Sequence, residues 1–348
     1  MPQFRIGISP DFTRSDGEPV WDDPALKEFG LRPDVAVEFI TGAGGDLTAD
    51  QIRPYDAIIS WGARYQEGSF EGVDRLALIA RLGVGYDTVP VDLCTEKNVL
   101  LTVTTGAAGR PVAEAALTLM LAIGHQIGQK ERLIRAGRWK ERDHFHGVEL
   151  RDRVVGLIGF GNIGQELFRL LEPFGLRRKL AFDPYAHEAD ARSLGVEIVP
   201  LETLLRESDF VSLNCPLNSE THGLIGAAQL RMMKPTAFLI NTARGPIIRE
   251  ADLIEALRNN VIRGAALDVF EQEPIDPDNP LLTMENVLIL PHATAWTEEL
   301  FRDYFQVLIE QLQAVMHGRI PRHLVNQAVE ARPGLQRKLA ALAECFGS

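Results

Sequence analysis

The sequence predicts an α/β protein made of two doubly wound parallel-sheet domains, and three observations predict it. Short apolar runs alternate with helical stretches along almost the whole chain, from Phe4-Arg-Ile-Gly-Ile8 to Val287-Leu-Ile-Leu290. One run, Val154-Val-Gly-Leu-Ile158, passes into a helix through Gly159-x-Gly161-x-x-Gly164. The 348 residues, 45% hydrophobic and 24% charged, suffice for about two separate cores.

Charge narrows the function. Lys and Arg number 36 against 48 Asp and Glu, a formal net charge of −12, and no Lys/Arg-rich block interrupts the mixture. That argues against nucleic acid and anionic membrane surfaces as partners, and it requires any anionic substrate to meet a locally basic cleft. The first strand starts at Phe4 without a basic and apolar leader, and no apolar run approaches the roughly 18 residues of a membrane span. A cytoplasmic protein is expected. Cys94, Cys215 and Cys345 lie far apart and outside any CxxC spacing, which predicts buried or inert thiols rather than disulfides or a zinc site.

In chain order, strands are expected at Phe4–Ile8, Val35–Ile40, Ala57–Trp61, Leu78–Arg81 and Val99–Val103, a small sheet of its own. The Gly-, Pro- and Asp-rich segment from Asp11 to Phe29 reads either as a lid or as a surface excursion. Leu82-Gly-Val-Gly-Tyr-Asp87 follows a strand and reads as a backbone nest for an anion or as a simple turn. Pro111 opens a nearly all-apolar helix, Val112–Ile123, which must be buried. The polar stretch from Lys140 to Val148 is expected to be loop, and its His144 and His146 lack the Cys or carboxylate companions of a metal site.

The glycine motif sits at the start of the second sheet and reads as the phosphate site of a Rossmann domain. Gly159 permits the tight turn, Gly161 lets a pyrophosphate approach the backbone, and Gly164 lets helix pack on strand, while the helix N-terminus offers free N–H groups. A second strand, Lys179-Leu-Ala-Phe-Asp183, ends on a carboxylate at about the 20-residue spacing expected of the group that holds a ribose 2′-OH. An acid there favours NAD, because a 2′-phosphate would be repelled. The alternation then resumes at Val196–Val199, Phe210–Leu213, Ala237–Asn241, Gly264–Phe270 and Val287–Leu290, with a helix at Glu250–Asn259.

Ligands in such sheets bind outside the carboxyl ends of the strands. The residues there are Cys215-Pro-Leu-Asn218, Thr242-Ala-Arg-Gly245, Asp268-Val-Phe-Glu-Gln-Glu-Pro274 and Pro291-His-Ala-Thr294. His292 is the candidate for moving a proton as a nicotinamide moves a hydride, and a carboxylate at Glu273 would fix its tautomer. Arg244 offers a planar fork for a carboxylate, although lone loop residues of these types are also commonly just solvated. Trp296, four residues beyond His292, reads either as a wall for the substrate's tail or as a packing residue. A long helix is expected from Glu298 to Met316, with Leu300, Phe301, Tyr304, Val307, Leu308 and Leu312 on one face, and a terminal helix from about Arg332 to Ser348 that is packed, dimer-contacting or frayed.

Taken together, the chain resembles the D-isomer-specific 2-hydroxyacid dehydrogenases, the family of phosphoglycerate and glyoxylate/hydroxypyruvate dehydrogenases. The resemblance runs through Gly83-Val-Gly-Tyr-Asp87, Val112-Ala-Glu114, Gly137-Arg-Trp139, Val155 to Gly164, Pro216-Leu-Asn-Ser-Glu-Thr221, Met233-Lys-Pro235, Asn241-Thr-Ala-Arg-Gly245, Leu267-Asp-Val-Phe270, Glu273-Pro274, Pro291-His292 and Val325-Asn326. It implies Arg244, Glu273 and His292 as the catalytic residues, Asp268 as the nicotinamide-amide partner, and Val84 and Gly85 as backbone that meets the substrate carboxylate. Contacts to NAD are expected at Gly159, Gly161, Asn162, Ile163, Gly164, Asp183, Cys215, Pro216, Thr242, Ala243, Arg244, Asp268 and His292. It further implies an NAD-binding domain at 105–295, a flavodoxin-like substrate domain at 1–104 completed by 296–348, a cleft between them, and homodimers assembled through the nucleotide domain.

The chain also departs from the family. Where many members carry Asn-Thr-Pro-Gly it has Val103-Thr-Thr-Gly106, followed by Arg110, which reads either as an added charge near the ligands or as a solvated helix-start Arg. The common His-x-Gly-Gly segment is replaced by His292-Ala-Thr-Ala-Trp296. A Trp near this place is similar to the C-terminal-binding corepressors, so an NAD(H)-responsive binding protein is the alternative to a 2-keto acid reductase. Formate oxidation is disfavoured, because formate dehydrogenases carry Gln at the position of Glu273 and Asn at that of Ala108.

Overall fold

The computed structural model describes residues 2–14, 16–21, 23–42 and 45–347. The chain divides into two compact units, Met1–Ala108 with Thr297–Ser348, and Gly109–Trp296. Among the described residues no helix is long and apolar enough to cross a membrane.

The first unit runs β1 (Phe4–Ile8), α1 (Pro24–Gly30), β2 (Val35–Phe39), β3 (Asp46–Leu47), α2 (Ala49–Ile52), β4 (Ala57–Ser60), β5 (Arg64–Tyr65), β6 (Leu78–Arg81), α3 (Val91–Glu96) and β7 (Leu100–Val103). Its five-stranded sheet has the order β2-β1-β4-β6-β7, all parallel, with β3 and β5 paired separately. Leaving out the small pair, this is the flavodoxin-like order, which reverses direction between β1 and β4. Every residue of β4, β6 and β7 is buried, as expected of parallel strands covered on both faces. The segment from Asp11 to Phe29, read as a lid or an excursion, is tied down. Val20 N donates to Phe12 O at 2.7 Å, Thr13 bridges Pro19, and Asp23 caps α1 by accepting from Leu26 N at 2.9 Å. Ser15 and Asp22, within that segment, lie outside the described residues.

The second unit begins with α4 (Gly109–Gly124) and α5 (Ile127–Arg135), then runs β8 (Val154–Ile158), α6 (Asn162–Leu170), β9 (Arg178–Phe182), α7 (Glu188–Ser193), β10 (Glu197–Ile198), α8 (Leu201–Glu207), β11 (Phe210–Leu213), α9 (Ala227–Met232), β12 (Phe238–Asn241), α10 (Glu250–Arg258), β13 (Gly264–Leu267) and β14 (Val287–Ile289). The seven strands are parallel in the order β10-β9-β8-β11-β12-β13-β14, the Rossmann arrangement with one further strand, and the order reverses between β8 and β11. Two apolar cores cover its two faces. Val154 and Ile158 enter one and Val155 and Leu157 the other, so a single five-residue run feeds both.

Several expectations are corrected here. The strand read as Gly264–Phe270 ends at Leu267, and Asp268 onward forms a loop that carries site residues. A 3₁₀ turn, Trp139–His144, occupies part of the stretch expected to be loop. Helix α5 has no counterpart in the sequence reading because Leu133 is its only buried residue, too little for a periodic signal.

The chain then returns to the first unit through α11 (Glu298–Met316), whose N-cap Thr297 accepts from Leu300 N at 3.1 Å. On this helix Phe305 and Gln311 are buried, whereas Phe301 and Val307, read as core-facing, are half-buried. Gln311 is buried because its side chain satisfies β7: Oε1 accepts from the Thr102 hydroxyl at 2.8 Å, and Nε2 donates to Val103 O at 2.9 Å. Buried Asn326 makes a second tie, accepting from Leu101 N at 2.9 Å and donating to Val99 O at 2.9 Å. The terminal helix α12 (Pro333–Phe346) is packed, with Leu335, Leu339, Leu342 and Phe346 buried and the Phe346 ring 6.0 Å from that of Phe4.

Candidate functional site

The carboxyl ends of β8 and β11 meet where the second sheet changes direction. Gly159 has φ 97°, and a Cβ there would lie 2.6 Å from the backbone of Asn214 and Cys215, so the glycine loop and the post-β11 loop press against each other. Gly164 is equally close to its neighbour, with a Cβ falling 2.6 Å from Gly159 O, whereas a Cβ on Gly161 would meet open space. Asn162 and Ile163 begin α6, and the helix has no side-chain cap at its N-terminus. The Asp183 carboxylate accepts from Phe160 N at 2.8 Å and Tyr185 N at 2.9 Å, which ties the end of β9 to the glycine loop and leaves each oxygen a further lone pair.

Cys215 and Pro216 follow β11, and burial pushes the Cys215 thiol up to about 11. Both amide atoms of the Asn214 side chain and the Thr242 hydroxyl oxygen are buried and have no hydrogen-bond partner among the described residues. Buried polar atoms of this kind, beside an open glycine and an uncapped helix start, fit a dinucleotide that brings its own donors and acceptors.

The remaining residues of the second unit converge from three loops. At the end of β12, buried Asn241 accepts from Ala243 N at 2.9 Å and donates to Arg244 O at 2.9 Å, so one amide sets the path of Thr242, Ala243 and Arg244. The Arg244 guanidinium donates to Ala243 O at 2.7 Å. Gly245 follows, and a Cβ there would stand 1.8 Å from Phe270 O, so only glycine lets this loop abut the one after β13.

On that second loop Glu273 accepts from Phe270 N at 3.0 Å with Oε1 and meets His292 Nδ1 at 2.7 Å with Oε2. Burial pushes the Glu273 carboxyl up, but His292, the Phe270 N–H and Arg244 outweigh it and hold the group below the usual carboxylate range. Asp268 is buried and accepts from the backbone N–H groups of Ala293 and Thr294 and from the Thr294 hydroxyl. His292 itself has φ 53°, a left-handed conformation unusual for a residue with a side chain.

Arg244, Glu273, His292 and Asp268 thus lie in one unit, with His292 against Glu273 and Asp268 against the turn that follows His292. Trp296 is 43% exposed and donates its backbone N–H to Ala293 O at 3.0 Å. Val84 and Gly85 belong to the first unit, half-buried in the loop after β6, where Gly83 has φ 116° and its N–H reaches the Thr104 hydroxyl at 2.8 Å. Arg110 does not add an open charge: it pairs with Glu114 on its own helix and with Glu166 on α6 at 3.1 Å. Cys345, read as buried or inert, is exposed, while Cys94 is buried. Asn214, Asn241 and Gly245 escaped the reading of individual residues. The available signal was an amide at or directly after the end of an apolar strand, and a glycine directly after the candidate Arg.

A family model described as D-isomer specific 2-hydroxyacid dehydrogenase, NAD binding domain, matches residues 117–294. A glyoxylate reductase of Korarchaeum cryptofilum is 42% identical over 268 residues, covering 76% of this chain and 80% of that protein. A D-3-phosphoglycerate dehydrogenase of Methanocaldococcus jannaschii is 36% identical over 316 residues, 90% of this chain but 60% of that longer protein. Among solved structures, the apo form of Rhodotorula graminis D-mandelate dehydrogenase aligns with a TM-score of 0.80 at 25% identity, covering 93% of this chain and 98% of that one.

Proposed function

The chain belongs to the D-isomer specific 2-hydroxyacid dehydrogenase family of NAD-binding oxidoreductases, and from that premise we propose that it reduces a 2-keto acid to the D-2-hydroxy acid, with His292 as proton donor. The observation that carries this reading is the 2.7 Å contact between His292 Nδ1 and Glu273 Oε2. An ionised Glu273 holds Nδ1 as the protonated nitrogen, orients the ring, and gives the charge on the imidazole a partner. Nε2 is then the atom that delivers a proton to the carbonyl oxygen. Arg244 grips the substrate carboxylate and polarises the carbonyl, as its planar fork allows. The loop at Val84 and Gly85 offers backbone N–H groups to a substrate carboxylate.

Bound NADH supplies the hydride. Gly159, Gly161, Asn162, Ile163 and Gly164 would hold its phosphates, Asp183 its ribose, and Cys215, Pro216, Thr242, Ala243 and Asp268 would line the nicotinamide end. Trp296 contacts the substrate's tail, so Trp296→Ala reorders kcat/KM among 2-keto acids of different tail. We also infer a homodimer, which light scattering tests, and a cytoplasmic location, which three free cysteines favour.

The deciding measurement is NADH oxidation across a panel of 2-keto acids by the wild type and by His292→Ala. Turnover by the wild type, reduced by about 10² to 10⁴ in the variant with NADH binding retained, is the expected result. A wild type that binds NADH but reduces none of the panel would leave a nucleotide-responsive binding protein as the better reading.

A further inference from the structure

We propose that Trp61, Trp21 and Phe301 form a substrate-tail subsite that selects 2-keto acids with a flat, apolar side chain of the arylpyruvate type. The inference deepens the function proposed above and rests on it. Three separate stretches of the first unit bring these rings together: Trp61 directly after β4, Trp21 at the end of the tied-down segment that follows β1, and Phe301 in the first turn of α11. The Trp21 ring lies 4.5 Å from that of Trp61 and 4.4 Å from that of Phe301. Phe12, buried, sits 5.4 Å from Trp21 and 6.1 Å from Trp61, and buried Tyr304 lies 6.3 Å from Phe301. Phe12 and Tyr304 therefore form a floor, while the other three rings stay half-buried.

The location points to a ligand. In a doubly wound sheet the ligand crevice lies beyond the carboxyl ends of the strands, where the strand order reverses. In this sheet that place is the junction of β1 and β4, and Trp61 stands at it, its N–H reaching the Ser9 hydroxyl at 3.4 Å. On its other side β4 pairs with β6, and Leu82 N donates to Ser60 O at 2.7 Å. β6, whose following loop carries Val84 and Gly85, thus runs one strand spacing, about 4.8 Å, from the strand that carries Trp61. A keto acid held there by its carboxylate has the aromatic group beside it. Trp21 is placed by bonding rather than left to drift, since the Asp11 carboxylate accepts from Gly62 N and Val20 N donates to Phe12 O at 2.7 Å.

The chemistry sets the class of tail. An aryl group gains contact with half-buried aromatic rings, and the half-buried indoles release water when it docks. Glyoxylate has no tail to use them. A phosphorylated tail gains nothing from uncharged rings and loses hydration.

The experiment uses the enzyme with NADH and phenylpyruvate, 4-methyl-2-oxopentanoate, pyruvate, glyoxylate and 3-phosphohydroxypyruvate. The expected result is kcat/KM for phenylpyruvate about 10-fold or more above that for glyoxylate or the phosphate ester. In Trp61→Ala the phenylpyruvate-to-glyoxylate ratio falls by about 10-fold or more, and in Trp61→Phe it is largely restored. Trp21→Leu, which keeps apolar bulk without a flat face, lowers the same ratio. Glyoxylate or the phosphate ester matching phenylpyruvate in the wild type overturns the proposal, even if no variant folds. So does a uniform loss across the panel in Trp61→Ala together with a lowered Tm, which identifies a packing residue. No turnover of any keto acid defeats the reductase reading instead, a separate outcome.

Discussion

The Asp268 carboxylate accepts the hydroxyl of Thr294 at 2.7 Å and also the backbone N–H of the same residue. With the Ala293 N–H at 3.1 Å, these bonds close a turn directly after His292 and hold that residue at φ 53°. A left-handed residue with a side chain costs on the order of 1–3 kcal/mol and persists only where its surroundings enforce it. Thr294→Val removes the hydroxyl at nearly constant volume. It should lower stability by about 1.5–3 kcal/mol, the worth of a hydrogen bond to a charged group, and reduce kcat, with Thr294→Ser restoring both. Urea denaturation and steady-state kinetics check this, and a Val variant indistinguishable from wild type refutes the enforcement role.

Arg244→Lys keeps the charge and loses the two-pronged geometry. Both KM for the keto acid and kcat should worsen if, as proposed, the fork acts on the bound substrate and on the developing charge alike. A change confined to NADH affinity would place Arg244 elsewhere in the mechanism.

The proposed basis of cofactor choice is Asp183, whose oxygens accept from Phe160 N and Tyr185 N and so are held in place at the end of β9. The enzyme should prefer NADH to NADPH, and Asp183→Ala should narrow the preference. Equal kcat/KM with the two cofactors in the wild type would contradict it.

Thiol reactivity gives a prediction in pH. Burial pushes the Cys215 thiol up to about 11 and that of Cys94 up to about 12, so both stay protonated at pH 8 and become reactive only as the pH climbs towards those values. Exposed Cys345 should be the one thiol titrated by a disulfide reagent in the native enzyme at pH 8, with all three titrating after denaturation. Labelling of Cys215 in the native protein at pH 8 would show that its pocket is wetter than the structure has it.

Much of this was legible in the sequence because it is local. The Gly159, Gly161 and Gly164 pattern needs only the geometry of one strand, one turn and one helix, and the apolar run at Val154–Ile158 announces a strand buried on both faces. Helix α11 was readable from end to end because its periodic face is long. Helix α5 was not, since one buried residue makes no period, and the buried Gln311 broke the apolar pattern for a reason located in β7.

The sequence by itself determined the family, the two doubly wound sheets, and the identities of Arg244, Glu273 and His292 as candidates, since backbone propensity and motif spacing are written along the chain. Only the tertiary structure decided that His292 meets Glu273, that Asp268 ties the turn after His292, that Arg110 is matched by Glu114 and Glu166, and that Trp21, Trp61 and Phe301 converge. Each of these except the Arg110–Glu114 pair joins residues far apart in the chain. Their partners follow from the strand order and from backbone approaches as close as that of Gly245 to Phe270, which no reading of neighbours along the chain contains.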